Sequence, residues 1–271
     1  MIQCTAQQGS DEWLADRAGC TTASVAADAL SIVGGLTEQQ ATYVAALKAG
    51  KTEAQAMAEA NYKAKPKASG IELALQGLPV GEPSDAALGL AARLAIERIA
   101  GKPYGNSGGG FYATERGHEQ EAYARMRYEA RFGVIVDEIG LCKTDDGLFG
   151  ASFDGTVGDD GAIEVKTPLN PLKAIRIIQT GDVSEYMTQV LAGFFVRGHR
   201  WTDILIAIPD LAHLNNGNEL WIKRVHRDEK AIEEVVAGLW LHEARVRKFE
   251  ALLREPYGAA ANDVIKLAEA A

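Results

Sequence analysis

The chain has 271 residues, of which 47% are hydrophobic and 24% are charged, the composition of an ordinary globular protein. No apolar stretch is long enough to cross a bilayer, and the first residues lack the features of a secretion signal, so we expect a cytoplasmic protein. Its three cysteines are widely spaced, which argues against a disulfide framework or a paired-cysteine zinc site. The net charge of -9 argues weakly against a nucleic-acid partner, but a net charge does not show whether basic residues are clustered on one surface.

The first segment predicts two short helices that meet at a corner. Ser10 has the chemistry of an N-cap for a helix that ends near Gly19. Thr22 is a candidate cap for a second helix that begins near Ser24. Arg17 and Ser24 therefore lie on either side of the corner.

The next stretch, residues 37–84, predicts a pair of helices followed by a loop. Thr37 with Gln40 is typical of a capping box, and Thr52 is placed to begin the second helix. The Gly- and Pro-rich segment at 70–84 indicates the loop. We interpret residues 37–84 as a helical insertion in a single domain that spans residues 1–271.

The rest of the chain predicts an alternation of helices and strands. Helical spacing is found at 84–100, 112–131, 184–197 and 228–253. Period-two patterns predict strands at 134–141, 148–157, 162–167, 203–208 and 219–225, with a hairpin turn at 158–161 and a tail at 255–271. The predicted fold class is α/β: a central mixed, mostly antiparallel sheet flanked by helices, with a helical N-terminal half.

The predicted hairpin carries a charge cluster. Glu164 and Lys166 are two residues apart on one strand, so their side chains face the same way. Folding at the turn brings Asp154 opposite Glu164, with about 5 Å between opposed Cβ atoms. Two such carboxylates suit a hard divalent cation, with the backbone carbonyl of Val165 as a further ligand and Lys166 beside it to orient a water. A solvated surface ion pair has the same pattern, so spacing alone leaves both interpretations open.

Four blocks of sequence resemble those of a known nuclease family. In order they are GSDEWLADR (9–17) leading to TAS (22–24), GHEQEA (117–122), SFDG with EVKTP (152–168), and YMTQV (186–190). The third block resembles the metal-binding core of the PD-(D/E)xK nuclease superfamily. Together the blocks resemble the phage lambda exonuclease or viral recombinase (alkaline exonuclease) family, and a restriction-endonuclease-like core is the fold this implies.

The resemblance also implies roles for the acidic and amide residues of these blocks. Asp154 and Glu164 bind Mg²⁺, for which Mn²⁺ substitutes, and Lys166 serves catalysis. Glu121 supports the metal site or holds Lys166, and Gln189 orients Lys166 or the metal-bound water.

Two sets of residues outside the metal site are candidates for contact with DNA. The resemblance implies that Arg17 and Ser24 form a pocket for the 5′-terminal phosphate, which suits a guanidinium and a hydroxyl at a helix start. Five further residues are candidates for the DNA backbone, although solvated surface positions explain them equally well: Lys63, Lys65, Lys67, Arg197 and Arg200.

A member of this family is expected to act as a 5′-to-3′ exonuclease on linear double-stranded DNA, leaving 3′ overhangs for annealing-type recombination. The resemblance implies a ring-shaped homotrimer, a single-strand-annealing recombinase as partner, and a phage or prophage origin in the cytoplasm of a bacterial host. Two alternatives stay open: an endonuclease on the same metal core, and a non-catalytic DNA-binding protein. A helicase-associated nuclease with an iron–sulfur cluster needs four cysteines, and the chain has three.

Overall fold

The computed structural model describes residues 1–78, 80–105 and 111–256, and for residues 111–119 it describes the backbone alone. These residues divide into two units, one formed by residues 1–30 and 90–256 and the other by residues 31–89. Most of the tail predicted at 255–271 lies outside the described residues. In the described part of the chain, no helix has the length and apolar character needed to span a membrane.

Ten helices and ten strands are found in the described residues. In chain order they are β1 (Ile2–Gln3), α1 (Asp11–Arg17), β2 (Thr21–Thr22), α2 (Ala26–Ala29), β3 (Ile32–Val33), α3 (Glu38–Lys48), α4 (Glu53–Glu59), α5 (Ser69–Leu75), β4 (Glu82–Pro83), α6 (Asp85–Ala100), α7 (Phe111–Phe132), β5 (Cys142–Lys143), β6 (Phe149–Ala151), β7 (Gly155–Val157), β8 (Gly161–Lys166), α8 (Pro171–Thr180), α9 (Ser184–Arg197), β9 (Trp201–Ala207), β10 (Leu220–His226) and α10 (Glu229–Arg254). Short 3₁₀ turns precede α2 and follow β9.

The first unit contains two four-stranded sheets among its described residues. One has the strand order β1-β5-β6-β2, in which only β2 and β6 run parallel, and the other has the order β10-β9-β8-β7, in which only β8 and β9 run parallel. The predicted α/β class with mixed, mostly antiparallel pairing is confirmed, but the strands form two sheets where one central sheet was expected.

Two strand predictions were wrong, and one of the errors bears on function. The segment at 134–141 forms only an isolated bridge at Asp137, so its alternating pattern reflects packing without a ladder. The single strand predicted at 148–157 is two strands, because the chain leaves the first sheet after Ala151 and enters the second at Gly155. Asp154 therefore lies in the crossing between the sheets.

The second sheet is covered on both faces, which explains the continuous apolar run in β9. Ile204 and Ile206 pack in the core cluster that includes Val190 and Phe194 of α9. Leu205 points to the opposite face and packs in the cluster that includes Tyr128 of α7. Since residues alternate between the faces of a strand, this arrangement also fixes which face of neighbouring β8 meets which helix.

The second unit is a small helical cluster. Helices α3 and α4 begin after Thr37 and Thr52, as predicted. The predicted capping box of Thr37 with Gln40 is formed, and the structure adds a second box of Thr52 with Gln55. A third helix, α5, occupies the start of the segment predicted as a loop, because Ile71 and Ala74 are needed to complete a core with Tyr43 and other buried side chains of α3 and α4. That residues 37–84 are an insertion in a single domain stays a prediction.

A buried charge network joins α7 to β9 and β10. Asp203 accepts hydrogen bonds from the hydroxyl of Tyr128 at 2.6 Å and from two nitrogens of Arg224, each at 2.8 Å. We expect Asp203→Ala to lower the free energy of unfolding by about 2 kcal/mol, because the buried phenol of Tyr128 loses its acceptor, whereas the half-exposed guanidinium of Arg224 can turn to water. Urea denaturation measures this loss.

The matched control for this network is an exposed ion pair in the same unit. Asp160 lies 3.2 Å from Arg200, and both side chains are more than half exposed. Asp160→Ala is expected to change the free energy of unfolding by less than about 1 kcal/mol. Equal effects of the two substitutions would show that the buried network does not stabilise the fold.

Candidate active site

Asp154 is held at both its side chain and its backbone. It precedes β7, and the pairing of Gly155 with Ile163 places it opposite Glu164, as the hairpin predicted. Its Oδ2 accepts a hydrogen bond of 2.6 Å from the N–H of Val165. Its backbone carbonyl accepts one of 3.0 Å from the guanidinium of Arg125. The direction of the carboxylate is therefore fixed although Asp154 lies outside a strand.

Glu164, Lys166 and Gln189 form a closed triangle of hydrogen bonds. The ammonium of Lys166 donates to Oε1 of Glu164 at 2.7 Å and to Oε1 of Gln189 at 3.0 Å. The amide of Gln189 donates to the same oxygen of Glu164 at 2.6 Å. Gln189 reaches this point because α9 packs on the face of β8 that carries Glu164, which is only 7% exposed. The structure thus brings together residues that are far apart in sequence.

The pKa values of both Asp154 and Lys166 are raised in this cluster, for different reasons. Burial raises the pKa of Asp154 well above its ordinary value, and the neighbouring Glu164 and Glu121 raise it further. Burial alone lowers the pKa of Lys166, but Glu164 and Asp154 outweigh that effect, so the pKa of Lys166 is raised. The Lys166 ammonium therefore stays charged at neutral pH. The positive charge around the Asp154 carboxylate is too small to offset its burial and its acidic neighbours.

A cleft of about 450 Å³ opens beside Asp154. It is lined by Glu121, Arg125 and Glu138, as well as by Asp154 and by backbone and side chains of the first residues of the chain. Arg125 also donates to Glu138 at 2.6 Å, so the guanidinium bridges this carboxylate and the backbone of Asp154. Sequence reasoning missed Arg125, although its position four residues after Glu121 puts both on one helix face.

The donor set fits a hard divalent cation. Asp154 and Glu164 supply two opposed carboxylates. A bound cation would provide the positive charge that the surroundings of Asp154 lack. Among the described residues, no three His, Cys, Asp or Glu side chains are grouped as a cation site, so water and the Val165 carbonyl would complete the coordination. Mg²⁺ suits such a site because it needs few protein ligands.

The raised pKa of Asp154 predicts a pH-dependent stability in protein freed of divalent ions. The native state keeps a proton on Asp154 that the unfolded chain loses near the ordinary value of 3.8. Wild-type stability should therefore fall as pH rises from this value through the raised pKa. Asp154→Asn removes the effect, so its stability relative to wild type should increase over this window. Urea denaturation in EDTA at a series of pH values measures the difference.

Asp182 provides a control of opposite sign. The N–H and hydroxyl of Ser184 lower the pKa of this exposed carboxyl. Its contribution to stability is present above the ordinary pKa and is lost as pH falls, so the effect of Asp182→Asn should disappear in acid. A pH-independent difference between Asp154→Asn and wild type would contradict the assignment of a raised pKa to Asp154.

Arg17 and Ser24 meet at the predicted corner, together with Thr22. Arg17 donates to the hydroxyls of Thr22 at 3.0 Å and Ser24 at 3.2 Å, and its guanidinium stacks 4.2 Å above the ring of Trp13. Burial lowers the pKa of Arg17. Of the ion pairs formed by the described side chains, none includes Arg17. A half-buried cation whose hydrogen-bond partners among the described residues are hydroxyls is suited to an anionic ligand.

The corner and the acidic cluster attach to the same segment of chain. β2, which contains Thr22, pairs with β6, and β6 leads through Ser152 into Asp154. The indole N–H of Trp13 donates to the hydroxyl of Ser152 at 3.2 Å. The two groups of predicted site residues are therefore linked by one strand and one hydrogen bond.

The five residues predicted to contact the DNA backbone have ordinary surface positions or internal partners. The lysines at 63, 65 and 67 are exposed in the second unit, and Lys65 pairs with Glu53 at 2.6 Å. Arg197 donates to the backbone carbonyls of Gly158 and Gly161 at 2.9 and 3.1 Å. Arg200 is 77% exposed and lies near Asp160. Contact of these residues with DNA stays a prediction.

Comparison with known proteins places this geometry among nucleases. Residues 81–200 match the model of the YqaJ-like viral recombinase domain. Two structures of the alkaline exonuclease LHK-Exo from Laribacter hongkongensis, one in complex with dAMP, are each 27% identical to the chain and cover 90% of it and 97% of their own length, with TM-scores of 0.60 and 0.62. No curated protein is similar enough in sequence to match the chain.

A more distant structure shares the fold. The phage-related exonuclease from Haemophilus somnus 129PT is 11% identical, covers 83% of this chain and 99% of its own, and superposes with a TM-score of 0.52. At this identity the similarity concerns the fold alone, an arrangement of mixed sheets and helices.

Proposed function

We propose that the chain, whose residues 81–200 match the YqaJ-like viral recombinase domain, is a metal-dependent 5′-to-3′ exonuclease of that family. Its substrate is linear double-stranded DNA, of which it degrades one strand and leaves 3′ single-stranded overhangs. The observation that carries the proposal is the hydrogen-bonded triangle of Glu164, Lys166 and Gln189, with Asp154 opposite Glu164. A solvated surface ion pair would have neither this burial nor a glutamine bonded to both charges.

The acidic residues of the cluster form the proposed metal site. Asp154, Glu164 and the Val165 carbonyl would hold Mg²⁺, or Mn²⁺ in its place. When bound, the ion would lower the pKa of a water and neutralise charge on the phosphodiester. The N–H of Val165 keeps the Asp154 carboxylate turned toward Glu164. Glu121 adds negative charge beside Asp154 and so favours a cation there.

Lys166 acts on the phosphate or on the attacking water. Two of its three N–H groups are directed at Glu164 and Gln189, so the third is available to a phosphate oxygen or a water. Gln189 holds both partners and therefore fixes where that third N–H points. A preorganised ammonium of this kind stabilises the negative charge that develops in the transition state.

The corner around Arg17 supports the proposed polarity. An enzyme that starts at a 5′ end needs a site for the terminal phosphate, whereas an endonuclease does not. Arg17, with the hydroxyls of Thr22 and Ser24, offers charge and donors for such a phosphate. Its link to Asp154 through Ser152 favours a short path between the bound end and the bond that is cut.

The assembly and partners belong to the same proposal. We expect a ring-shaped homotrimer around DNA, with a basic channel that reconciles DNA binding with the net charge of -9. A single-strand-annealing recombinase is the expected partner for the overhang. The proposed setting is the cytoplasm of a bacterial host that carries a phage or prophage.

The direct test uses linear duplex DNA labelled separately at each end, with or without a 5′-phosphate, in the presence of Mg²⁺. We expect label to leave the 5′-phosphorylated end first. Equal cutting of closed circular DNA would replace the proposal with an endonuclease on the same metal core. Absence of cutting with Mg²⁺ and Mn²⁺ would favour a non-catalytic DNA-binding protein.

A further inference from the structure

Gly19, at the turn of the Arg17 corner, is held on both sides by consecutive residues of α6. Its N–H donates to Oε2 of Glu97 at 2.8 Å, and its carbonyl accepts a hydrogen bond of 2.7 Å from Nε of Arg98. The residue has a φ of +72°, and a Cβ at this position would collide with the side chain of Arg98. The turn is therefore closely fitted to the end of α6.

The end of α6 is itself anchored. Arg98 donates to both carboxylate oxygens of Glu243 on α10, at 2.9 and 2.8 Å, and Glu243 also accepts from Arg247 at 2.9 Å. Glu97 is 5% exposed, and its second oxygen accepts from the N–H of Tyr104 at 3.2 Å. The other polar atoms of the Glu97 and Arg98 side chains are hydrogen-bonded as well, so both side chains are fixed where they contact Gly19.

We propose that Glu97 and Arg98 are positioning residues that hold the corner in the geometry that binds a 5′-terminal phosphate. Gly19 follows Arg17 by two residues and precedes β2, which carries Thr22. The position of Gly19 therefore determines whether the Arg17 guanidinium and the Thr22 hydroxyl can contact the same phosphate. The inference rests on the proposed function, because it takes the Arg17 corner as the phosphate site. It adds that preference for phosphorylated ends depends on residues that do not touch the phosphate.

A positioning role of Glu97 and a purely electrostatic role predict opposite effects on phosphate binding. Glu97 lies 3.9 Å from Arg93, and its charge also acts on Arg17. A carboxylate near a phosphate site disfavours a bound anion, so an electrostatic role predicts tighter phosphate binding when the charge is removed. A positioning role predicts weaker binding when the hydrogen bond to Gly19 is removed.

The test measures binding of duplex DNA with either a 5′-phosphate or a 5′-hydroxyl, by fluorescence anisotropy in EDTA so that no cleavage occurs. The readout is the ratio of the two dissociation constants. Glu97→Ala is expected to reduce the preference for the phosphorylated end about tenfold, the effect of one charge-assisted hydrogen bond. Glu97→Gln keeps one oxygen for the N–H of Gly19 but loses the acceptor for the N–H of Tyr104, so it should retain more of the preference than Glu97→Ala. Arg98→Lys, which shortens the reach to Gly19, should lower it.

The matched control is Glu219→Ala. Glu219 is another fully buried carboxylate of the same unit and pairs with Arg127. It should lose stability, measured by urea denaturation, without a change in the preference ratio. If wild type prefers phosphorylated ends and Glu97→Ala keeps that ratio, or if both Glu97 variants raise it, the positioning role is overturned.

Failure of the proposed function has a different signature. A parallel cleavage assay with Mg²⁺ in which wild type cuts nothing would overturn the nuclease proposal, while the binding ratio still decides the role of Glu97. A wild type that binds both ends equally would overturn the phosphate site and the positioning role together, whatever the cleavage assay shows.

Discussion

Glu164→Gln is expected to reduce the rate of DNA hydrolysis by at least about a thousandfold, with the protein still folded. Glutamine has the same size but lacks the charge that attracts a divalent cation. It also places an uncharged group where Oε1 of Glu164 accepts hydrogen bonds from both Lys166 and Gln189. One substitution thus removes a metal ligand and disturbs the residue that acts on the phosphate. The measurement is the rate of release of labelled nucleotides from linear duplex DNA.

Metal binding provides a second readout for Glu164→Gln. Titration with Mn²⁺ in a calorimeter should show weaker binding than in wild type, whereas binding of duplex DNA in EDTA should be retained. Glu185→Gln is the control, because this exposed carboxylate lies on α9 and pairs with Lys173 instead of the cluster. Hydrolysis by Glu164→Gln at the wild-type rate would remove Glu164 from the site and favour the interpretation as a structural ion pair.

Much of the fold was predictable because the signals were local. The capping boxes at Thr37 and Thr52 follow from four-residue patterns, and α9 was predicted with its observed bounds from its apolar spacing. The division of the strands into two sheets was not predictable in this way. Nothing in the alternation across 148–157 marks the point after Ala151 where the chain changes sheets. The change depends on pairing partners distant in sequence, β2 and β5 on one side and β8 on the other.

The candidate site was predictable to the extent that its residues share a hairpin. Asp154 and Glu164 are related by a turn whose sequence fixes the register, so their opposition followed from spacing. The placement of Gln189 and Arg17 came from the resemblance to a family, and the structure now gives their contacts. Their assigned roles stay predictions that the proposed experiments test.

Residues that support the site from a distance were missed for a physical reason. Glu97 and Gly19 are separated by 78 positions, and no local pattern links a helical glutamate to a glycine in a remote turn. Arg125 lies on the same helix face as Glu121, but its contact with Asp154 is to the backbone carbonyl, a group that every residue has. Any residue type can supply a backbone donor or acceptor, so a single sequence does not show which residues make such contacts.

Lys166→Met is expected to lower the rate of hydrolysis by about a hundredfold to a thousandfold, while metal affinity falls much less. Methionine keeps the apolar stem but removes the ammonium that donates to Glu164 and Gln189. Because the pKa of Lys166 is raised, the wild-type ammonium is charged throughout neutral pH, so the ratio of the two rates should not vary there. Lys173→Met, which removes an ammonium at similar distance from the Tyr186 ring, is the control. If Lys166→Met instead abolished Mn²⁺ binding and left the rate at saturating metal unchanged, Lys166 would serve to assemble the carboxylates, and the transition-state charge would need another donor.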